Sequence, residues 1–125
     1  MPLAASDRSV KQFRAFADPT RLRLLALLRA AQSTPAGEIC VCDLVGVLDS
    51  PQPTVSRHLA YLRRCGLVRF RREGGWSYYR LAAAPDPVQR KLLGALDACC
   101  AVMPELEKDI RRLRASGCCD GGCCT

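Results

Sequence analysis

A chain of 125 residues with 19 Lys and Arg against 12 Asp and Glu carries a net charge of +7 and a pI near 9.1, which suits one domain with a modest core and a surface made for a polyanion. Nine cysteines, no apolar run long enough to cross a membrane, and an N-terminus (M-P-L-A-A-S-D-R-S-V-K-Q-F) without a signal-peptide core point to a reducing cytoplasm, where thiols serve metal or redox chemistry and not a disulfide framework. An enzyme is not expected: there is one histidine, no Ser-His-Asp set, no glycine-rich phosphate loop and no paired carboxylates.

Ser6 to Ala17 has Val10, Phe13 and Ala17 at helical spacing and predicts a short amphipathic first helix. The run A-D-P-T-R-L-R-L-L-A-L-L-R-A-A restarts with Asp18 as N-cap and Pro19 at the first helical position, with Leu22, Leu25 and Leu28 facing inward. Q-S-T-P-A-G is a loop by composition, and E-I-C-V-C-D-L leads into a third helix.

From Asp43 to Gly66 the chain reads as two short helices joined by a tight turn. Ser50 stands at the N-cap position of the second, Pro51 at its first residue and Gly66 just past its end. Val55, Leu59 and Leu62 form the buried stripe, which leaves Arg57, Ala60, Tyr61 and Arg64 on the free face. Between Ser50 and Arg80 stand seven arginines (57, 63, 64, 69, 71, 72, 80) and one acid, Glu73. Such a basic concentration on a capped helix-turn-helix is the footprint of a nucleic-acid reader.

L-V-R-F-R-R, the Glu73-Gly74-Gly75 turn and W-S-Y-Y-R-L make a two-stranded hairpin with an arginine-coated face, a wing beside the second helix. Downstream of Pro85-Asp86-Pro87, the residues Leu92, Leu96, Cys99, Met103, Leu106, Ile110 and Leu113 recur at alternating steps of four and three. That seam predicts helix pairing in a homodimer, with Pro104 breaking the helix between its two halves. Residues 1–114 are thus expected to form a DNA-binding and dimerisation domain, and 115–125 a flexible cysteine-rich tail.

The runs F-A-D-P-T-R-L-R-L-L, E-I-C-V-C-D-L, S-P-Q-P-T-V-S-R-H-L-A-Y-L-R-R-C-G-L-V and G-G-W-S-Y-Y-R-L together resemble the ArsR/SmtB family of metal-responsive repressors, in particular its arsenic-responsive branch. The resemblance covers Phe13 to Leu81. It implies a mainly α winged helix-turn-helix with a small β-hairpin, in the order α1-α2-α3-α4-β1-β2-α5. It also implies a homodimer joined by the first and last helices, which sits on double-stranded operator DNA and leaves it when a metal or metalloid binds. The third helix would lie near Val41 to Leu48, the recognition helix near Gln52 to Cys65 and the wing near Leu67 to Leu81. In the arsenic-responsive pattern a third cysteine follows the second by three residues, where this chain has Val45.

Arsenite, As(III), and its congener Sb(III) are soft acceptors satisfied by three thiolates, or by two and another donor. Cys40 and Cys42 are the primary candidates. Residues i and i+2 diverge by about 200° on a helix and stand about 6.6 Å apart on a strand, so chelation by this pair is expected to require unwinding of the third helix's first turn. Cys99 and Cys100 could add a third ligand or form a separate dithiolate site for organoarsenicals, and Cys118, Cys119, Cys123 and Cys124 form a C-C-x-x-x-C-C cluster in the tail. Cys65 reads as core.

Gln52, Thr54, Ser56 and Arg57, with His58 at the edge, are expected to meet base edges, and Arg71 and Arg72 to meet phosphates. The alternatives are a repressor that senses thiol oxidation, or one that senses another soft metal such as Cd, Pb or Zn.

Overall fold

The computed structural model describes residue 4, residues 7–84 and residues 86–116. In order these form α1 (Arg8–Phe16), α2 (Pro19–Ala31), β1 (Ile39–Cys40), α3 (Val41–Leu48), α4 (Gln52–Arg64), β2 (Val68–Glu73), β3 (Trp76–Leu81), α5 (Pro87–Val102) and α6 (Pro104–Ser116). The expected winged helix-turn-helix is present, with one strand and one helix more than expected.

α2 begins as its residues dictate. Asp18 Oδ2 accepts the Arg21 N–H at 3.0 Å, and Pro19 fills the first turn, where an absent N–H has no helical partner to lose. Leu24, Leu25, Leu27 and Leu28 are all fully buried, so α2 is apolar on most of its circumference. It is the pillar on which α1, α4, α5, α6 and β3 pack.

α1 departs from its expected stripe. Its cap is Asp7, which accepts the Ser9 N–H at 2.9 Å, and the inward positions are Gln12 and Ala15, while Phe13 is 58% exposed. Small Ala15 admits the neighbouring helix, and Gln12 Nε2 donates to Gln89 Oε1 of α5 at 3.1 Å, so a polar pair occupies the place foreseen for an aromatic ring.

α4 also starts later than expected. Pro51 is the N-cap, and Thr54 N–H and Val55 N–H bond its carbonyl at 3.0 and 3.2 Å. Ser50 is no cap: the residue three positions on, Pro53, has no N–H to offer, and the Ser50 hydroxyl donates to Leu48 O at 3.3 Å. The other end is as foreseen. Gly66 has φ +76°, its N–H bonds Arg63 O at 3.0 Å, and Leu67 N–H bonds Leu62 O at 3.0 Å, with both leucines fully buried.

The wing is a three-stranded antiparallel sheet of order β1-β3-β2. β2 and β3 pair from Val68↔Leu81 to Glu73↔Trp76, and β1 pairs the opposite edge of β3 through Ile39↔Tyr79 and Cys40↔Tyr78. A two-residue strand has no alternation to announce it in sequence.

Pro104 divides the C-terminal seam into α5 and α6. Leu96 and Leu106 are buried within the subunit, and Ile110 and Leu113 pack against the core. Much of the heptad pattern therefore serves packing inside the chain, with α6 laid on α2, α3 and α5, and does not form a continuous pairing seam. A bidentate pair, Arg23 Nε and Nη2 to Asp109 at 2.8 and 2.9 Å, pins α6 to α2. α6 runs on to Ser116, past the expected boundary at residue 114. Cys118, Cys119, Cys123 and Cys124 lie outside the described residues. Among the described residues, no helix is long and apolar enough to cross a membrane.

Candidate functional site

Val55, Leu59 and Leu62 anchor α4 in the core as predicted. Gln52 and Arg57 are exposed, and Thr54 and Ser56 are half-buried along the same helix. All seven arginines between Ser50 and Arg80 are exposed on α4 or the wing. Aromatic rings hold several of the guanidinium groups in place: Arg63 lies 5.0 Å from the Phe70 ring, and Arg21 and Arg64 lie 4.1 and 5.8 Å from that of Tyr61. Tyr61, expected on the free face, is half-buried against the core beneath these cations.

Two of the expected DNA contacts are turned toward the protein. His58 Nδ1 lies 3.9 Å from Asp18 Oδ2, with a side chain only 16% exposed, so it braces α4 on the cap of α2. Burial pushes the Asp18 carboxyl up, but the Arg21 N–H bond and the charges of Arg21 and His58 outweigh it and leave Asp18 below the usual carboxylate range. Arg71 bonds Glu38 through Nη2 at 2.6 Å and Nε at 3.2 Å, bonds Glu73 through Nη1, and covers the Tyr78 ring at 4.5 Å. Hydrogen bonds to Glu38, then Glu73, hold its guanidinium above even the ordinary arginine range. Arg71 is a clip between the wing and the segment before β1; Arg72 beside it is exposed.

Cys40 ends β1 and is also the N-cap of α3, with φ −69° and ψ 142°, while Cys42 lies in the first turn of the helix. The chain changes direction between them, and their sulfurs stand 2.9 Å apart. This overturns the expectation that the pair can meet only if α3 unwinds, since neither pure helix nor pure strand spacing applies at a strand-to-helix junction. Two thiolates about 2.3 Å from one tetrahedral ion lie roughly 3.8 Å apart, so the sulfurs need to separate by roughly 0.9 Å to share one. Once separated and in thiolate form, sulfur is the donor class that selects a soft ion.

Cys40 and Cys42 line different cavities. Cys40, 3% exposed, lines one of about 510 Å³ with Glu38, Asp43, Tyr78 and the α6 residues Ile110, Leu113 and Ser116. Cys42 lines another of about 460 Å³ with Val45, Gln52, Gly75, Trp76 and Ser77. The pair therefore sits between the C-terminal helix on one side and the wing tip and start of α4 on the other.

The remaining cysteines are elsewhere. The Cys65 thiol donates to Lys11 O at 3.9 Å, and burial pushes its pKa up. Cys99 and Cys100 are half-buried on α5 and line neither cavity; burial, then Asp97, Cys99 and Glu107, raise the Cys100 pKa and disfavour its thiolate. Among the described residues, no three His, Cys, Asp or Glu side chains are grouped to hold a metal ion. Sequence reasoning missed Glu38 and Tyr78, which join the thiol segment to the wing, because their partners lie far along the chain.

The profile described as bacterial regulatory protein, arsR family, matches residues 18–69. An uncharacterised HTH-type transcriptional regulator of Methanocaldococcus jannaschii is 42% identical over 73 residues, which are 58% of this chain and 76% of that protein. The arsenical resistance operon repressor of Escherichia coli K12 is 47% identical over 73 residues, 58% of this chain and 58% of that protein, so the match spans little more than half the relative's length. Among solved structures, HlyU from Vibrio cholerae superposes with a TM-score of 0.61 at 27% identity, covering 78% of this chain and 92% of that one. With its helix-turn-helix inside the matched residues 18–69, and a transcriptional regulator 42% identical to it over three quarters of that relative's length, the chain belongs to the arsR family of bacterial regulatory proteins, which are transcriptional regulators and not enzymes.

Proposed function

We propose that this protein is a transcriptional repressor that holds operator DNA as a homodimer through α4 and the wing, and lets it go when trivalent arsenic is bound by Cys40 and Cys42. The observation that carries this reading is the 2.9 Å approach of the two sulfurs at the junction of β1 and α3. The similarity to a repressor of an arsenical resistance operon supports the choice of ligand.

Gln52, Thr54, Ser56 and Arg57 enter the major groove, with Arg72 and its neighbours on phosphate. Dimerisation uses α1 and α5, whose Phe13 and Val102 are 58% and 77% exposed within one subunit. Thiolate binding displaces the first turn of α3, which adjoins β1 and packs against α4 and β3. Operator and arsenic then bias one element in opposite directions, with a coupling of about 1–3 kcal/mol.

The test is fluorescence anisotropy of reduced protein on its upstream DNA, titrated with arsenite, for the wild type and Cys40→Ser/Cys42→Ser. Release of the wild type alone is expected; equal release of both, or of neither, overturns the reading. The same sulfur approach favours one second reading, a dithiol sensor in which peroxide oxidises the pair to a disulfide and is reduced to two waters. Peroxide would then release DNA with no arsenic present.

A further inference from the structure

We infer that the base of the wing holds a phosphate group, free or carried by a small molecule, between Arg69 and Arg80 on the sheet face turned away from α4. No cysteine lines this site, so it stands apart from the arsenic reading above.

Alternation along β2 and β3 places the two arginines together. Val68, Tyr79 and Leu81 are buried, and Phe70 packs on the core with Arg63 of α4 over its ring. Arg69, Arg71, Tyr78 and Arg80 therefore share the opposite face. In the ladder Arg69 stands directly opposite Arg80, a position where Cβ atoms lie about 4.5–5.5 Å apart and like charges repel. Two residues along the same face, Arg71 is neutralised by Glu38 and Glu73. Among the described residues neither Arg69 nor Arg80 has a carboxylate partner, and Glu38, the one acid of residues 32–38, is engaged by Arg71 at 2.6 and 3.2 Å. An anion would turn this repulsion into a clamp.

The pair lines a cavity of about 480 Å³ with Gln32, Gly37, Leu81 and Ala83, a volume within the roughly 300–1,000 Å³ of small-molecule sites. That lining holds two cations, one amide and no acid. Gln32 Oε1 accepts from Arg29 Nη1 at 3.1 Å, which leaves its Nε2 as a third donor. Gly37, with φ +67°, lets the loop lie against Arg80, since a Cβ there would come within 2.9 Å of Nη2. Leu81 and Ala83 add an apolar edge for an organic group. Charge selects the ligand: a phosphate group carries about −1.5 to −2 at pH 7 and three acceptor oxygens, which matches two guanidinium forks and an amide better than a carboxylate with one charge and two oxygens. Bound here, it would tie the loop between α2 and β1 to the base of the wing, beside the Arg71–Glu38 clip.

The test titrates inorganic phosphate into the reduced, full-length protein without DNA, by calorimetry, with ionic strength held constant by chloride. Saturable binding of one phosphate per subunit is expected, with a rise in the thermal midpoint. Arg69→Gln/Arg80→Gln should bind at least about tenfold more weakly and, with the repulsion gone, unfold without phosphate no lower than the wild type. Arg57→Gln/Arg72→Gln removes the same two charges elsewhere and should bind phosphate within about threefold of the wild type. Absence of saturable binding in the wild type, or equal losses in the two double variants, overturns the site. The salt slope of operator binding should be unchanged in Arg69→Gln/Arg80→Gln; a fall of about two would assign the pair to the DNA backbone and overturn it as well.

Discussion

Cys40 and Tyr78 stand opposite each other in the ladder between β1 and β3, and Tyr78 stands opposite Arg71 on its other side. A thiol candidate and a wing arginine are thus one residue apart across the sheet, through a ring that Arg71 also covers. If the sheet carries the response, Tyr78→Ala should leave arsenite affinity within about threefold. It should also shrink the ratio of operator affinities without and with arsenite by at least about fivefold, the lower range of a typical coupling. Anisotropy titrations of both ligands check this, and an unchanged ratio would place the coupling in α3 and α4 alone.

Arg57 of α4 and Arg71 of the wing are both exposed, yet only Arg71 is committed to carboxylates. Arg57→Ala should lower operator affinity roughly tenfold and reduce the slope of log affinity against log salt by about one if it sits on phosphate, or relax sequence preference if it sits on a base. Arg71→Ala should leave that slope nearly unchanged, because its charge is already neutralised within the protein. Affinities measured over a salt series distinguish the two.

The Arg23–Asp109 pair is asymmetric, with side chains 30% and 4% exposed. Arg23→Met strands a buried carboxylate and should cost about 3 kcal/mol in urea unfolding; Asp109→Ala, which leaves an arginine able to reach water, should cost less. Replacing both with apolar residues should recover much of the loss.

Asp18 lies below the usual carboxylate range in the folded protein. Its depressed pKa contributes stability that is present above the unfolded value of about 3.9 and lost as pH falls through the folded value. Asp18→Asn keeps an N-cap acceptor but removes the charge, so thermal unfolding of this variant should depend less on pH below about pH 4 while changing little in helix content. An unaltered acid profile would remove Asp18 from the account.

At Gly66, with φ +76°, an added Cβ would meet nothing closer than Arg8 Nη2 at 3.8 Å, so space is not the constraint. Gly66→Ala should still cost about 1–2 kcal/mol through the left-handed backbone alone. Denaturant midpoints of the two proteins measure it.

Interactions within a few residues were legible in the sequence alone. Asp18 and Pro19 set the start of α2, Gly66 sets the end of α4, Val55, Leu59 and Leu62 set its buried face, and the arginine cluster marks the basic surface. The hairpin and the pairing of Cys40 with Cys42 as candidates were equally local. Tertiary structure alone decided which partners distant groups take. Arg71 finds Glu38 across 33 positions and Arg23 finds Asp109 across 86. Phe13 turns outward because Gln12 meets Gln89, and the C-terminal heptad folds inward because Pro104 lets α6 lie on α2 and α3. The sulfurs converge because β1, too short to have a period, is held by β3 at the point where α3 begins. Caps and periodicity follow from backbone hydrogen bonding over about four residues, whereas these long-range choices depend on which surfaces the packed helices bring together.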